Sequence, residues 1–150
     1  MEEELAERLR RWCAYQERCT SQLQEKMRKM DLSDEQVDRF IGLLKEEGFL
    51  DDTRFAISFA SGKIRIKKWG RIKVRAELSR LRIASSLIET ALDSFDREEY
   101  DALVIETARK KSALIRENDK YVKTGKLAQF LISKGIEQQQ AWQAAKLVVD

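Results

Sequence analysis

Three stretches of this chain carry the same apolar frame, and that repetition restricts the fold more than any single motif. Leu23, Met27, Leu32, Val37, Phe40 and Ile41 recur 51 residues later as Val74, Leu78, Ile83, Ile88, Ala91 and Leu92. A further shift of 53 reaches Leu127, Leu131, Ile136, Ala141, Ala144 and Ala145. The spacings of three and four are those of one face of an α-helix, interrupted once by a short corner. Each copy therefore predicts two helices joined by a tight turn.

The joints carry capping chemistry. Ser33 and Gln36 form a capping box, with Leu32 and Val37 in the staple positions on either side. Ala84 and Glu137 stand where Ser33 does, so the later copies lack the favoured cap. A second junction also recurs. Gly48 suits the left-handed residue after a helix, and Leu50, Asp51 and Phe55 then read as N′, N-cap and N4. Phe95, Asp96 and Tyr100 repeat that set, with Glu99 at N3. These sets open the first helices of the second and third copies. The first helix of copy one begins near residue 4, with Leu5, Leu9 and Trp12 on one face. The prediction is an all-α chain of three tandem three-helix repeats, at residues 1–50, 51–94 and 95–150. Units of roughly 45 residues bury little alone, so stacked neighbours must supply the missing core in an elongated, curved molecule. The third copy is eight residues longer, around Lys110–Thr124, and this polar, basic stretch is expected to be a mobile loop.

Composition agrees and removes several kinds of chemistry. The chain has no proline, six glycines, 43% apolar and 37% charged residues, and helix formers dominate. With no histidine, Ser-His-Asp, Cys-His and most metal-hydrolase sites are excluded. Glycine-rich phosphate loops are absent too. Cys13 and Cys19 are expected in one helical stretch, on different faces and about 9 Å apart along the axis, as reduced thiols. Asp51 and Asp52 read as helix-capping acids rather than catalysts. Neither a catalytic group, a metal site nor a cofactor is expected. No apolar run approaches the roughly 18 residues needed to span a bilayer, and the acidic start lacks the pattern of a signal peptide. A monomeric cytoplasmic protein is the expectation.

Charge is strongly segregated. Residues 1–62 carry 10 basic and 14 acidic side chains, residues 63–82 nine and one, and residues 83–150 ten and eleven. The middle segment holds Lys63, Arg65, Lys67, Lys68, Trp69, Arg71, Lys73, Arg75, Arg80 and Arg82. If residues 71–82 are helical, Val74, Leu78 and Leu81 face the core. Arg71, Arg75 and Arg82 then share one flank within about 40°, a stripe suited to phosphates or carboxylates. Trp69 could stack on an unpaired base or pack between helices. A looser second patch comprises Lys110, Lys111, Arg116, Lys120, Lys123 and Lys126. Trp12 and Trp142 read as core or inter-helix residues.

The block Glu47-Gly48-Phe49-Leu50-Asp51-Asp52-Thr53-Arg54-Phe55-Ala56 resembles the E-G-[YF]-[LI]-[ND]-D-x-[RK]-[FY]-A signature of the bacterial RecX family. Gly70 with Glu77-Leu78 is similar to the G-x6-E-L pattern of that family's second repeat, and Lys126-Leu127 through Ser133-Lys134-Gly135-Ile136 to its third. The likeness covers about residues 8–148. One departure stands out: the second-repeat corner, K-G-[IF] in the family, is Leu81-Arg82-Ile83 here, without its left-handed glycine. The resemblance implies a non-enzymatic modulator of the RecA recombinase. Such a protein lodges in the groove of the RecA filament on single-stranded DNA, limits its growth or promotes its disassembly, and so restrains ATP hydrolysis, strand exchange and the SOS response. The Lys63–Arg82 segment is then the natural contact surface, with weak binding to single- or double-stranded DNA in addition. The alternative is a sequence-tolerant DNA-binding helical module that acts without RecA.

Overall fold

A computed structural model describes residues 1–150 and contains nine α-helices and no strand. The first triplet is α1 (Glu2–Tyr15), α2 (Thr20–Lys29) and α3 (Asp34–Glu46); the second is α4 (Asp52–Arg65), α5 (Arg71–Arg80) and α6 (Ser85–Ser94). The third is α7 (Arg97–Ser112), α8 (Lys120–Ser133) and α9 (Gln138–Val149). None is long and apolar enough to cross a membrane.

The caps form as the residues dictate. Asp51 accepts the Arg54 N–H and Asp96 the Glu99 N–H, each at 3.0 Å. Ser33 and Gln36 complete their reciprocal box, whereas α6 and α9 start at Ala84 and Glu137 without a side-chain cap. Leu50 and Phe55, like Phe95 and Tyr100, are buried on either side of their caps.

Each corner between second and third helices closes in the same way. The second residue after that second helix takes a left-handed backbone: Asp31 at φ 60°, Arg82 at 61° and Gly135 at 91°. The next N–H reaches back to the helix: Leu32 to Met27 O, Ile83 to Leu78 O and Ile136 to Leu131 O, at 3.1–3.2 Å. These positions fall at the same two offsets as the apolar frame. Arg82 thus adopts the glycine conformation despite its Cβ, at a cost of about 1–2 kcal/mol.

The apolar side chains divide into two cores. Ten buried residues from Ala6 to Leu50 pack the first triplet. A second cluster of 22 runs through α4 to α9 without a break, and the first triplet contributes only Cys19 to it.

Two expectations need correction. The stretch Lys110–Thr124 is not one loop: residues 110–112 close α7, residues 120–124 open α8, and residues 113–119 link them. Lys110 pairs with Glu106 one turn back at 2.9 Å, and Asp119 caps α8 by accepting the Tyr121 and Val122 N–H groups. The cysteines do not share a helix: Cys13 is in α1 and Cys19 is the N-cap residue of α2, both buried and free. Burial pushes the Cys13 thiol above its ordinary range.

Candidate functional site

The basic middle segment is organised by one close backbone approach. Gly70, the N-cap residue of α5, lies against Gly135, the left-handed residue after α8. A Cβ on Gly70 would stand 2.3 Å from Gly135 C and O, so no other residue fits without displacement. The approach lets Gly70 N–H donate to Lys134 O at 2.7 Å and Ile72 N–H to Gly135 O at 2.9 Å. Arg71 N–H donates to the Tyr100 hydroxyl at 3.1 Å, and that hydroxyl donates to Glu137 Oε1 at 2.7 Å. Three orphan donors at the start of α5 are therefore satisfied by the third triplet, and the negative end of α8 meets the positive end of α5. Burial is the main cause holding the Tyr100 phenol above its ordinary range.

Around this joint the basic residues sort into two kinds. Most arginines are engaged by carboxylates or carbonyls. Arg65 clasps Glu99 of α7 with two hydrogen bonds of 2.7 and 2.8 Å, and Arg75 clasps Glu89 of α6 at 2.9 and 3.1 Å. Arg71 donates to Leu92 O at 2.8 Å, lies 3.8 Å from Asp93, and its side chain is only 17% exposed. Arg80 pairs with Glu77. The expected stripe of Arg71, Arg75 and Arg82 is not an open binding face: α5 ends at Arg80, Arg82 leaves the helix at the corner, and the other two are occupied.

The lysines are different. Lys67, Lys68, Lys73 and Lys134 surround the Gly70–Gly135 approach, and none has a carboxylate within 4 Å. Lys68 has a left-handed backbone, φ 59°, which turns the chain from α4 into α5. Lys134 Nζ donates to Lys67 O at 2.9 Å. Burial, together with the ammonium groups of Lys73 and Lys67, holds Lys134 below the ordinary lysine range. Trp69 is half-buried, edge-on to Phe59 at 6.4 Å, with the ammonium groups of Lys63 and Lys73 4.9 and 4.8 Å from its ring centre. It packs between helices and clamps two cations without neutralising them.

The second predicted patch does not form one surface. Lys110 and Lys111 join the lysine face, lining with Lys68 and Lys134 a hollow of about 270 Å³ that also holds Phe130, Leu114 and the carboxylate of Glu106, the partner of Lys110. Lys111 sits 4.7 Å over the Phe130 ring. Lys120 pairs with Asp150 at 3.3 Å and Lys126 with Glu117 at 3.5 Å, while Arg116 and Lys123 have no such partner. Sequence spacing gives no reason to group Lys134 with the middle segment, because Lys67 lies 67 positions away; its place in the Lys-Gly-Ile corner is the one available signal.

Known proteins match this arrangement. A profile of RecX, second three-helix domain, matches residues 51–92. The regulatory protein RecX of Pelodictyon phaeoclathratiforme (strain DSM 5477 / BU-1) is 33% identical over 128 residues, 85% of this chain and 78% of that protein. The regulatory protein RecX of Clostridium tetani (strain Massachusetts / E88) is 34% identical over 131 residues, covering 86% of this chain and 58% of that protein. Against other clostridial relatives the chain spans little more than half of their length, as with the 54% matched in Clostridium botulinum (strain Eklund 17B / Type B). The crystal structure of RecX from Lactobacillus salivarius superposes with a TM-score of 0.83 at 19% identity, over 92% of this chain and 90% of that one, which bears on the fold alone. The sequence relatives carry the assignment: this chain belongs to the RecX family of regulatory proteins.

Proposed function

We propose that this chain regulates the RecA recombinase, docking as a monomer into the groove of the RecA filament on single-stranded DNA. There it restrains filament growth, and with it ATP hydrolysis, strand exchange and the SOS response. The contact is the lysine face at the joint of the second and third triplets: Lys67, Lys68, Lys73 and Lys134, extended by Lys110 and Lys111. The supporting observation is that Lys67, Lys68, Lys73, Lys111 and Lys134 have no carboxylate partner on a joint locked by backbone hydrogen bonds, Lys110 alone being paired, with Glu106. Charges held on a rigid frame meet a polyanionic groove with little ordering cost. In this reading residues 51–94 and 95–150 act as one body and residues 1–50 as an arm.

The test is a RecA ATPase and filament-assembly assay with the Lys67, Lys73, Lys134→Glu triple variant. Inhibition should weaken tenfold or more, while Arg75→Gln, which removes a cation already occupied by Glu89, should act like wild type. A wild-type protein that never alters RecA turnover or assembly would sink the RecA reading.

A further inference from the structure

The acidic-looking first triplet carries a basic groove that the charge count along the chain conceals. Three adjoining hollows run from α1 across α2 to the corner between α5 and α6. The first, about 320 Å³, is lined by Arg8, Arg11, Trp12 and Lys26 among others. The second, about 310 Å³, shares Trp12 and Lys26 and adds Arg18 and Lys29. The third, about 450 Å³, shares Lys29 and adds Arg28, Arg80 and Arg82, with Ser21, Gln22 and Gln24 along the flank of α2. Together these walls hold eight cations and a single carboxylate, Glu25.

Several acids of the first triplet are engaged by cations outside the groove, whereas Glu7 and Glu25 pair with Arg11 and Lys29 in its walls. Glu3, Glu7 and Glu47 hold Arg10, Glu2 holds Arg39, and Glu17 holds Arg54. Within the groove Arg8, Arg18, Lys26, Arg28 and Arg82 have no carboxylate within 4 Å. Arg18 and Lys26 are held instead by the Trp12 ring, 4.0 and 4.6 Å from its centre. A ring fixes a cation without cancelling its charge, so both heads stay available to an anion. The largest hollow has one apolar wall residue, Leu81, which is too little to anchor a protein partner through buried apolar groups. Amide and hydroxyl groups beside cations suit phosphate and sugar oxygens, and a planar guanidinium stacked on indole suits an unpaired base.

We infer that this groove binds a single-stranded nucleic acid, its phosphates on Arg18, Lys26, Arg28 and Arg82 and a base beside Trp12. The site goes beyond the RecA reading, and its test omits RecA. In the full chain, Trp69→Phe and Trp142→Phe leave Trp12 as the sole indole, and a thymidine oligonucleotide is titrated against its fluorescence. The expected result is quenching, with affinity lowered tenfold or more by Arg18→Glu with Lys26→Glu, and by Arg28→Glu with Arg82→Glu as a second pair. Loss of two phosphate contacts should also reduce the salt slope of log K by about 1.4. Circular dichroism must report unchanged helix content in at least one pair for the comparison to be read. Affinity within twofold of wild type in a folded pair overturns the proposal. So does quenching by duplex DNA or polyglutamate equal to that by the oligonucleotide, which would assign the groove to a duplex or an acidic protein.

Discussion

The two joints between triplets occupy equivalent places in the repeat, yet they are made of different atoms. Gly70 and Gly135 at the joint of α5 with α8 correspond, through the offsets of 51 and 53, to Cys19 and Arg82 at the joint of α2 with α5. Where both residues are glycine, backbones touch and N–H groups bond directly to carbonyls. Where both carry a Cβ, side chains bridge instead. Ser21 Oγ donates to Leu81 O at 2.6 Å, and Asp52 Oδ1 accepts both the Thr20 N–H and hydroxyl at 2.8 and 3.0 Å. The apolar cores follow suit, continuous across the glycine joint and divided at the other. The continuous core thus runs across the joint that holds two glycines, where a missing Cβ lets two helix ends meet end to end.

Gly70→Ala should produce the largest break in that contrast. The added methyl would meet backbone atoms at 2.3 Å, whereas the φ of −83° at this residue suits alanine, so the effect isolates the close approach. Destabilisation of about 2–3 kcal/mol is expected by urea unfolding, with loss of hydrogen-exchange protection at the Ile72 amide. A change below about 0.5 kcal/mol would mean that the glycine contact does not hold the joint.

Arg82→Gly tests the other joint in the opposite direction. Relief of the left-handed backbone at φ 61° should stabilise the protein by about 1 kcal/mol, seen as a higher urea midpoint with unchanged slope. Destabilisation would show that the Arg82 side chain matters more than its backbone.

The smallest effect concerns the outer clasp on the glycine joint. Hydrogen bonds from Arg65 hold the Glu99 carboxyl below the usual range. Because the folded-state value is depressed, the clasp contributes above the unfolded glutamate pKa of about 4.3 and is lost as pH falls from there toward the folded value. Wild type should therefore exceed Glu99→Gln slightly at pH 7, and the two urea midpoints should converge on acidification. A gap that persists in acid would rule out the carboxylate as its origin.

Spacing and local chemistry disclose nine helices, the caps at Ser33, Asp51 and Asp96 and the short corners between helices, while the awkward place of Arg82 shows only through the family resemblance. Those features depend on residues one to five positions apart, where periodicity and hydrogen-bond reach are written directly into the chain. The basic middle segment is equally plain, but the sequence does not show which of its cations are paired. Which cations stay free depends on partners 14 to 67 positions away, as with Arg75 and Glu89 or Lys134 and Lys67. The helical wheel of α5 could not show that Arg71 turns to Leu92 or that Lys134 arrives beside Lys73. Nor does the charge count of residues 1–62 show that Arg10, Arg39 and Arg54 are paired with acids while Arg18 and Lys26 are not. Helices, caps and corners were set by the sequence itself; the pairing of charges was set by tertiary packing, since a carboxylate selects among cations only once the corners have brought them within a few ångströms.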